Sequence, residues 1–127
     1  MHLNPDCVRD ILIGIEDTTS YKVKTCYPSN ALDFLRESYS DMQIRYHILQ
    51  CSKSGLIELE KIDDSETMYI TDLTPHGHQF LANIRSDTIW SKTKLIAGKV
   101  GSASLDCISQ ISSAILSELI RSSFGLQ

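Results

Sequence analysis

The sequence lacks the features that mark membrane-spanning and exported chains. It has no run of about 18 apolar residues, the length that a membrane-spanning helix requires. Its amino terminus lacks a basic region followed by an apolar stretch and a small-residue cleavage site. These absences predict a cytoplasmic protein without a membrane segment. With 127 residues, of which 42% are hydrophobic and 22% charged, the chain has the size and composition of one globular domain.

Paired cysteines and catalytic motifs are missing as well. The four cysteines contain no Cys-x-x-Cys pair, and three lie in apolar helical patterns, where a free thiol packs as a small hydrophobic group. No glycine-rich phosphate loop, nucleophile elbow or zinc-protease helix is present. His76 and His78 are two apart and point in different directions on a helix, and His47 and Cys51 have no second pair of ligands. The sequence predicts no enzyme activity, no cofactor and no metal site.

Helical and strand patterns follow one another along the first 73 residues. Asn4 and Pro5 have the capping character that starts a helix, and residues 21–26 alternate as a short strand or extended link does. A short helix and a helix over about 41–54 are predicted next, and residues 56–62 and 67–73 form a β-hairpin. The predicted buried residues are Ala31, Leu32, Phe34 and Leu35 in the short helix and Ile44, Ile48, Leu49 and Cys51 in the longer one.

Three further helices are predicted after the hairpin. Thr74 and Pro75 start one of them, Ser86 and Asp87 start the next, and Gly101 ends it. The closing helix, about 103–121, has apolar residues at helical spacing, many serines and few charges. We expect its apolar stripe to be buried on the chain's own core or against the same helix of a second chain. We favour the second arrangement, a homodimer through the C-terminal helix.

The predicted order of helix, strand, two helices and hairpin is that of a winged helix-turn-helix, in which the hairpin is the wing. Residues 44–57 resemble the recognition helix of winged-helix regulators, because an amphipathic helix there ends in Gly55-Leu56-Ile57 before the wing. Gly55 can take the left-handed conformation that turns the chain into the strand. Residues 73–81 look like the Leu-Thr-x-x-Gly-x-x-Phe-Leu segment that follows the wing in such regulators.

We therefore predict an α+β, mostly helical fold that forms one compact unit. A winged helix-turn-helix domain is expected over residues 1–86, with a C-terminal helical extension over residues 87–127. The extension is expected to pack on that domain or on a second subunit.

Two longer stretches, residues 3–12 and 73–90, resemble a family of phage and Gram-positive bacterial proteins known as a domain of unknown function. The second stretch includes Ile84-Arg85-Ser86-Asp87-Thr88-Ile89-Trp90. The likeness covers most of the chain. It implies a winged-helix fold and a mobile-element context, and it assigns no catalytic or binding residues.

The helix over about 41–54 is the candidate DNA recognition helix of this fold. If it enters a major groove, the side chains away from its apolar stripe meet base edges and its basic side chains bind phosphate. The predicted base-reading residues are Gln43, Tyr46, His47 and Gln50, and the predicted phosphate ligands are Arg45 and Lys53. The alternative is an ordinary solvated helix face. The leading prediction is a phage-related transcriptional regulator that binds double-stranded DNA.

Charge is distributed unevenly around that helix. Residues 20–53 contain five basic and three acidic side chains, whereas residues 58–72 contain six acids and one lysine. Phosphate repels an acidic wing, so we do not expect the wing to enter a DNA groove. A second basic patch, which can reach flanking phosphates or pair with the hairpin or a partner subunit, consists of Arg85, Lys92, Lys94 and Lys99.

The net charge of −4 favours a rival prediction from a different class. In this reading the chain is a winged-helix module that binds another protein and does not bind DNA. Its binding surface would be the acidic hairpin or the terminal helix, because a fold by itself does not determine a function.

Overall fold

The computed structural model describes residues 1–125, which form five α-helices, one 3-10 helix and three β-strands. The α-helices are α1 (Pro5–Thr18), α2 (Asp41–Lys53), α3 (Pro75–Ile84), α4 (Asp87–Val100) and α5 (Leu105–Ser123). The strands are β1 (Thr25–Tyr27), β2 (Ile57–Ile62) and β3 (Met68–Leu73), and the 3-10 helix spans Asn30–Glu37. The prediction of an α+β, mostly helical chain is confirmed. Positions 126 and 127 of the predicted C-terminal extension lie outside the described residues.

The chain forms two compact units, Met1–Gln79 and Phe80–Gln127, with the boundary inside α3. The predicted boundary between residues 86 and 87 stays a prediction. The core of the first unit comes from α1, the 3-10 helix, α2 and the sheet. Its buried apolar side chains are Cys7, Val8, Ile11, Leu12, Ile15, Tyr27, Leu32, Leu35, Ile44, Ile48, Cys51, Leu56, Ile57, Met68, Ile70 and Leu73.

The start of α1 depends on the residues that the sequence indicated. The side-chain oxygen of Asn4 accepts hydrogen bonds from the backbone N–H groups of Asp6 and Cys7, at 3.0 and 3.4 Å. Pro5 occupies the first helical position, where no intrahelical N–H bond is lost. Because the first N–H groups of the helix are satisfied in this way, α1 can begin at Pro5 and bury its apolar face.

The first strand is shorter than the alternation of residues 21–26 predicted. The backbone N–H of Ser20 donates to the carbonyl oxygen of Val23 at 2.9 Å, and the N–H of Val23 donates to the Ser20 hydroxyl at 3.2 Å. This turn uses backbone groups that pairing with a neighbouring strand would need. Strand β1 therefore begins only at Thr25, and Tyr21 is fully exposed.

The second helix is a 3-10 helix, and its three-residue repeat decides which side chains it buries. Leu32 and Leu35 are buried as predicted, because side chains three apart lie on the same side of a 3-10 helix. Ala31 and Phe34 lie on other sides and are exposed, so their predicted burial is wrong. The Phe34 ring nevertheless lies against α1, with its Cζ 2.9 Å from where a Cβ on Gly14 would be.

The three strands form an antiparallel sheet in the order β1-β3-β2. The predicted hairpin is present: β2 and β3 pair from Ile57 opposite Leu73 to Ile62 opposite Met68, with irregular register near Leu59. The first residue of β2 is buried, whereas its last three residues are exposed. The outer half of the hairpin therefore extends beyond the core and presents Ile62 at the surface.

Gly55 and Gly77 let the end of α2, the start of β2 and the start of α3 meet. Gly55 has a φ of 74°, so its predicted left-handed conformation is confirmed. The N–H of Thr74 donates to the Leu56 carbonyl oxygen at 3.0 Å, and the Thr74 hydroxyl accepts from the N–H of Gly77 at 2.9 Å. A Cβ on Gly77 would lie 1.9 Å from the Leu56 oxygen, so this approach requires glycine.

The second unit contains the end of α3 and the pair α4 and α5, which pack on each other. Gly101 ends α4 with a φ of 80°, and the Asn83 amide donates to the Ser113 hydroxyl at 3.2 Å. The buried side chains of this unit are Phe80, Leu81, Ile84, Ile89, Trp90, Thr93, Ala97, Ile108 and Ser112. Helix α5 has 19 residues and α4 has 14, so the end of α5 extends past α4 and residues 117–125 are exposed.

Candidate interaction surface

Helix α2 carries all the residues that the sequence predicted to contact DNA. It begins with a capping box, in which the Ser40 hydroxyl accepts from the Gln43 N–H at 3.2 Å. The side-chain oxygen of Gln43 in turn accepts from the Ser40 N–H at 2.9 Å. The Gln43 side chain therefore holds the start of the helix, whereas the prediction placed it against a base edge.

The structure corrects the prediction that His47 faces outward. Its imidazole is fully buried; Nε2 accepts from the backbone N–H of Asn4 at 2.8 Å, and Nδ1 lies 2.7 Å from the Gln43 carbonyl oxygen. A ring nitrogen that accepts a hydrogen bond carries no proton, so the proton is on Nδ1 and is donated to that carbonyl. His47 joins the start of α1 to α2 and does not reach a base edge.

Arg45, a predicted phosphate ligand, is engaged by three neighbours within the first unit. Its Nε donates to the Asp41 carboxylate at 2.9 Å, and its guanidinium carbon lies 5.3 Å from the centroid of the Tyr27 ring. Its Nη1 donates to the carbonyl oxygen of Glu66. The hydrogen bond from the Tyr27 hydroxyl, with Arg45 beside it, lowers the pKa of Asp41. Arg45 would have to leave these contacts to bind a phosphate.

The outward side of α2 is more apolar than the sequence predicted. Tyr46 and Gln50 are partly exposed and Lys53 is exposed, so these three predicted residues lie on the accessible side. Met42, with 71% of its surface exposed, and the half-buried Leu49 lie among them. Leu49 was predicted on the buried stripe, but the buried positions are 44, 47, 48 and 51. Positions 44, 47, 48 and 51 are three, four and seven apart, the spacing of one side of a helix. His47 therefore belongs to the buried side, and Leu49 lies outside it.

A groove lies between α2 and the outer part of the hairpin, and we call it the α2–hairpin groove. It has a volume of about 170 Å³ and is lined by Arg45, Leu49, Ile62, Glu66 and Met68. Ile62 is 47% exposed, because this end of β2 extends past the core. Glu66 has a φ of 64°, a left-handed conformation that is unusual for a residue other than glycine, so the turn holds it under strain.

Acidic residues of the hairpin turn lie beside this groove. Asp63 is held within the turn: the backbone N–H of Thr67 donates to its carboxylate at 3.0 Å and lowers the pKa of that group. Asp64 and Glu66 are different, because within residues 1–125 their carboxylates make no ion pair. The turn therefore offers two uncompensated negative charges to a partner.

In the second unit, α4 carries three of the four basic residues of the second predicted patch, and Arg85 lies just before this helix. Leu95 is 62% exposed, and it lies on the side of α4 opposite the buried residues. Residues three and four apart are neighbours on a helix surface, so the lysines at 92 and 99 flank it. Residues 88–100 contain three lysines and no acid. We call this surface the α4 basic face; it consists of Lys92, Leu95, Ile96 and Lys99.

The sequence also contains a close histidine pair, His76 and His78, at the start of α3. His78 lies 3.7 Å from the Glu16 carboxylate and 3.8 Å from that of Asp72, and His76 is exposed. In the part of the chain that the structure describes, no group of three or more His, Cys, Asp or Glu side chains is arranged to hold a metal ion. None of the helices in residues 1–125 is long and apolar enough to cross a membrane.

Known proteins similar to this chain establish its family. Residues 2–104, which include both the hairpin and α4, match the family described as "Hypothetical protein (DUF2513)". An uncharacterized protein of Haemophilus influenzae is 31% identical over 123 residues, which cover 94% of this chain and 99% of that protein. No solved structure matches the chain. The predicted membership of a family of unknown function is thus confirmed, and the chain belongs to the DUF2513 family of hypothetical proteins.

Proposed function

We propose that the first unit is a winged helix-turn-helix domain in which the β2–β3 hairpin is the wing. The element order supports this assignment, because α1, the 3-10 helix and α2 are three helices followed directly by the hairpin. The sheet order supports it too, since β1, which lies between the first two helices in sequence, pairs with β3. In this assignment the 3-10 helix and α2 form the helix-turn-helix pair.

The function that the geometry supports best is the binding of another polypeptide at the α2–hairpin groove. One observation carries this proposal: both sides of the groove present accessible apolar side chains, Leu49 from α2 and Ile62 from β2. Met42 extends the apolar surface along α2. Apolar side chains grouped on a surface and bordered by polar residues are typical of protein interaction sites.

The size of the groove favours side chains of a polypeptide over a small-molecule ligand. Small-molecule sites usually have volumes of roughly 300–1,000 Å³. The groove has about 170 Å³, which is room for the apolar anchors of a peptide or helix.

The charges of the first unit favour a basic partner over duplex DNA. Asp64 and Glu66 are available beside the groove, whereas Arg45 is bound to Asp41 and Lys24 pairs with Glu60 at 3.0 Å. Affinity for DNA comes largely from several lysine and arginine side chains that bind phosphates together. A polypeptide segment with both apolar and basic residues complements the groove better.

Fluorescence anisotropy with the full chain tests the proposal. The probe is a fluorescein-labelled, amphipathic helical peptide of Leu, Ala and Lys, and its counterpart has every Lys replaced by Glu. We expect the lysine peptide to bind and the glutamate peptide to bind much more weakly, because the turn is acidic.

Two matched substitutions locate the binding site. Leu49→Glu places a charge in the groove and should abolish binding of the lysine peptide, whereas Leu119→Glu, on the exposed end of α5, should leave it unchanged. Circular dichroism of both variants checks that each is still folded. The proposal is overturned if the lysine peptide fails to bind the wild type or binds Leu49→Glu equally well.

A second candidate function is DNA binding by a transcriptional regulator. It is favoured by Tyr46, Gln50 and Lys53, which lie on the accessible side of the second helix of the proposed helix-turn-helix pair. The resemblance to phage proteins supports a regulator carried by a mobile element. Lys53 is a better test residue than Arg45, because Arg45 also holds Asp41 and the hairpin turn.

Titration of mixed-sequence duplex DNA at about 50 and 200 mM salt tests this second function. Phosphate-driven binding should weaken by orders of magnitude across this range and should be reduced by Lys53→Glu. Lys22→Glu, in the exposed segment before β1, is the matched control. Absence of binding at the lower salt concentration would favour the polypeptide-binding function.

A further inference from the structure

We infer that the α4 basic face of a second copy of this chain binds in the α2–hairpin groove. This inference rests on the proposed function of the groove and names its partner. The two surfaces have opposite charge, and each has exposed apolar side chains among its charges. The groove therefore offers negative charge to the basic face, and the basic face offers positive charge to the groove.

The α4 basic face has the composition that the groove requires. Leu95 is the most exposed large apolar residue of this face, and Ile96 lies beside it. Among the residues described, the ammonium groups of Lys92 and Lys99 make no ion pair. A helix that presents an apolar anchor between two available cations has the form of a ligand in helix-in-groove recognition.

The groove has the complementary arrangement. Leu49 and Ile62 supply apolar contact surface from its two sides, and Glu66 lines it close to Asp64. Arg45 also lines the groove, but its charge is compensated by Asp41, 2.9 Å away. A lysine of the incoming helix therefore meets a net negative turn, and contact with the groove removes Leu95 from water.

Each chain carries one groove and one α4 basic face. Two copies can therefore make the contact reciprocally in a closed dimer, or many copies can repeat it from head to tail. The competing arrangement is the predicted homodimer through α5, whose exposed end includes Leu119 and Phe124. The experiment below separates these arrangements.

Charge reversal followed by complementation tests the inference on the full chain. One variant combines Asp64→Lys with Glu66→Lys in the turn, and the other combines Lys92→Glu with Lys99→Glu on α4. Sedimentation velocity over a concentration series gives the association constant of each. We expect the wild type to associate and each variant to associate more than about tenfold less tightly, because like charges then face each other.

The decisive sample is the equimolar mixture of the two variants. Each reversed turn then meets a reversed α4 of the other variant, so association should return to the wild-type value. Added salt should weaken the association of both the wild type and the mixture, since the Debye length is only about 10 Å at 0.1 M salt. The double variant Lys22→Glu and Lys94→Glu has the same charge change as the α4 variant. Both of its substitutions lie outside the two surfaces, so it should associate as the wild type does.

Circular dichroism checks the fold of each variant. If the α4 double variant fails to fold, Lys99→Glu alone replaces it. The inference is overturned if the wild type is monomeric or if both variants associate as tightly as the wild type. It is also overturned if the mixture of the two variants does not associate. Loss of association in Leu119→Glu combined with retention in the α4 variant would also overturn it and assign the contact to α5. If the lysine peptide binds a monomeric wild type, the proposed function stands and only the self-association is wrong.

Discussion

The backbone N–H of Asn4 donates a hydrogen bond to Nε2 of His47 over 2.8 Å, although the two residues are 43 positions apart in sequence. The other ring nitrogen donates to the Gln43 carbonyl oxygen at 2.7 Å, and the side chain has no exposed surface. Both nitrogens of a buried imidazole are thus satisfied, as the low polarity of a core requires. One polar side chain connects the start of α1 with the first half of α2.

His47→Leu should therefore lower the free energy of unfolding by about 1–3 kcal/mol, because the Asn4 N–H loses its acceptor. His47→Gln should recover part of this loss, since its side-chain oxygen can accept from that N–H. Urea unfolding measures both variants. Equal losses in the two would show that the hydrogen bond contributes little.

Gly77→Ala should destabilise the chain by about 1–3 kcal/mol or more, because the new methyl group meets the Leu56 carbonyl oxygen. Gly98→Ala is the matched control: it lies within α4 with open space around the Cβ position. This change should stabilise the helix by about 0.5–1 kcal/mol, as alanine does relative to glycine. Thermal unfolding of the two variants gives the comparison, and shifts of the same sign would count against the close approach at Gly77.

The thiols should react in two classes. Burial raises the pKa of Cys7 to about 12 and also raises the pKa of Cys51, so neither forms the reactive thiolate near neutral pH. Cys26 and Cys107 are partly exposed. A chromogenic disulfide reagent at about pH 8 should modify the latter two in the native protein and all four only in urea. Replacing Cys26 and Cys107 by serine should remove the native reaction, and rapid reaction of that variant would contradict the burial of the other two.

Acid should weaken the contacts of the hairpin turn and of α2. The pKa of Asp41 is lowered by the Tyr27 hydroxyl and that of Asp63 by the Thr67 N–H. A lowered pKa in the folded state means stability that is present above the unfolded value of about 3.9 and is lost as the pH falls through the folded value. Urea unfolding at several pH values below about 5 should show this loss. The free energy of unfolding should fall less steeply with decreasing pH in Asp41→Asn than in the wild type. An unchanged slope in that variant would exclude Asp41 as a contributor.

Element boundaries were predictable where a single residue and its near neighbours decide them. The Ser40 and Ser86 hydroxyl groups accept from N–H groups three residues ahead, and Gly55 and Gly101 have left-handed backbone conformations at helix ends. Capping and glycine conformations act over one helical turn, so they can be recognised in the sequence. The 3-10 form of residues 30–37 lacks such a local signal, and the predicted burial of Phe34 failed with it.

The sequence by itself determined the mostly helical composition, the order of helices and strands, the hairpin and the family. Only the tertiary structure decided which side of α2 is accessible. His47 is buried because Asn4, far away in sequence, supplies a donor, and Arg45 is engaged because Tyr27 and the turn at Glu66 lie beside it. A polar side chain can be buried when a distant segment satisfies it, and that partner lies outside any local sequence pattern.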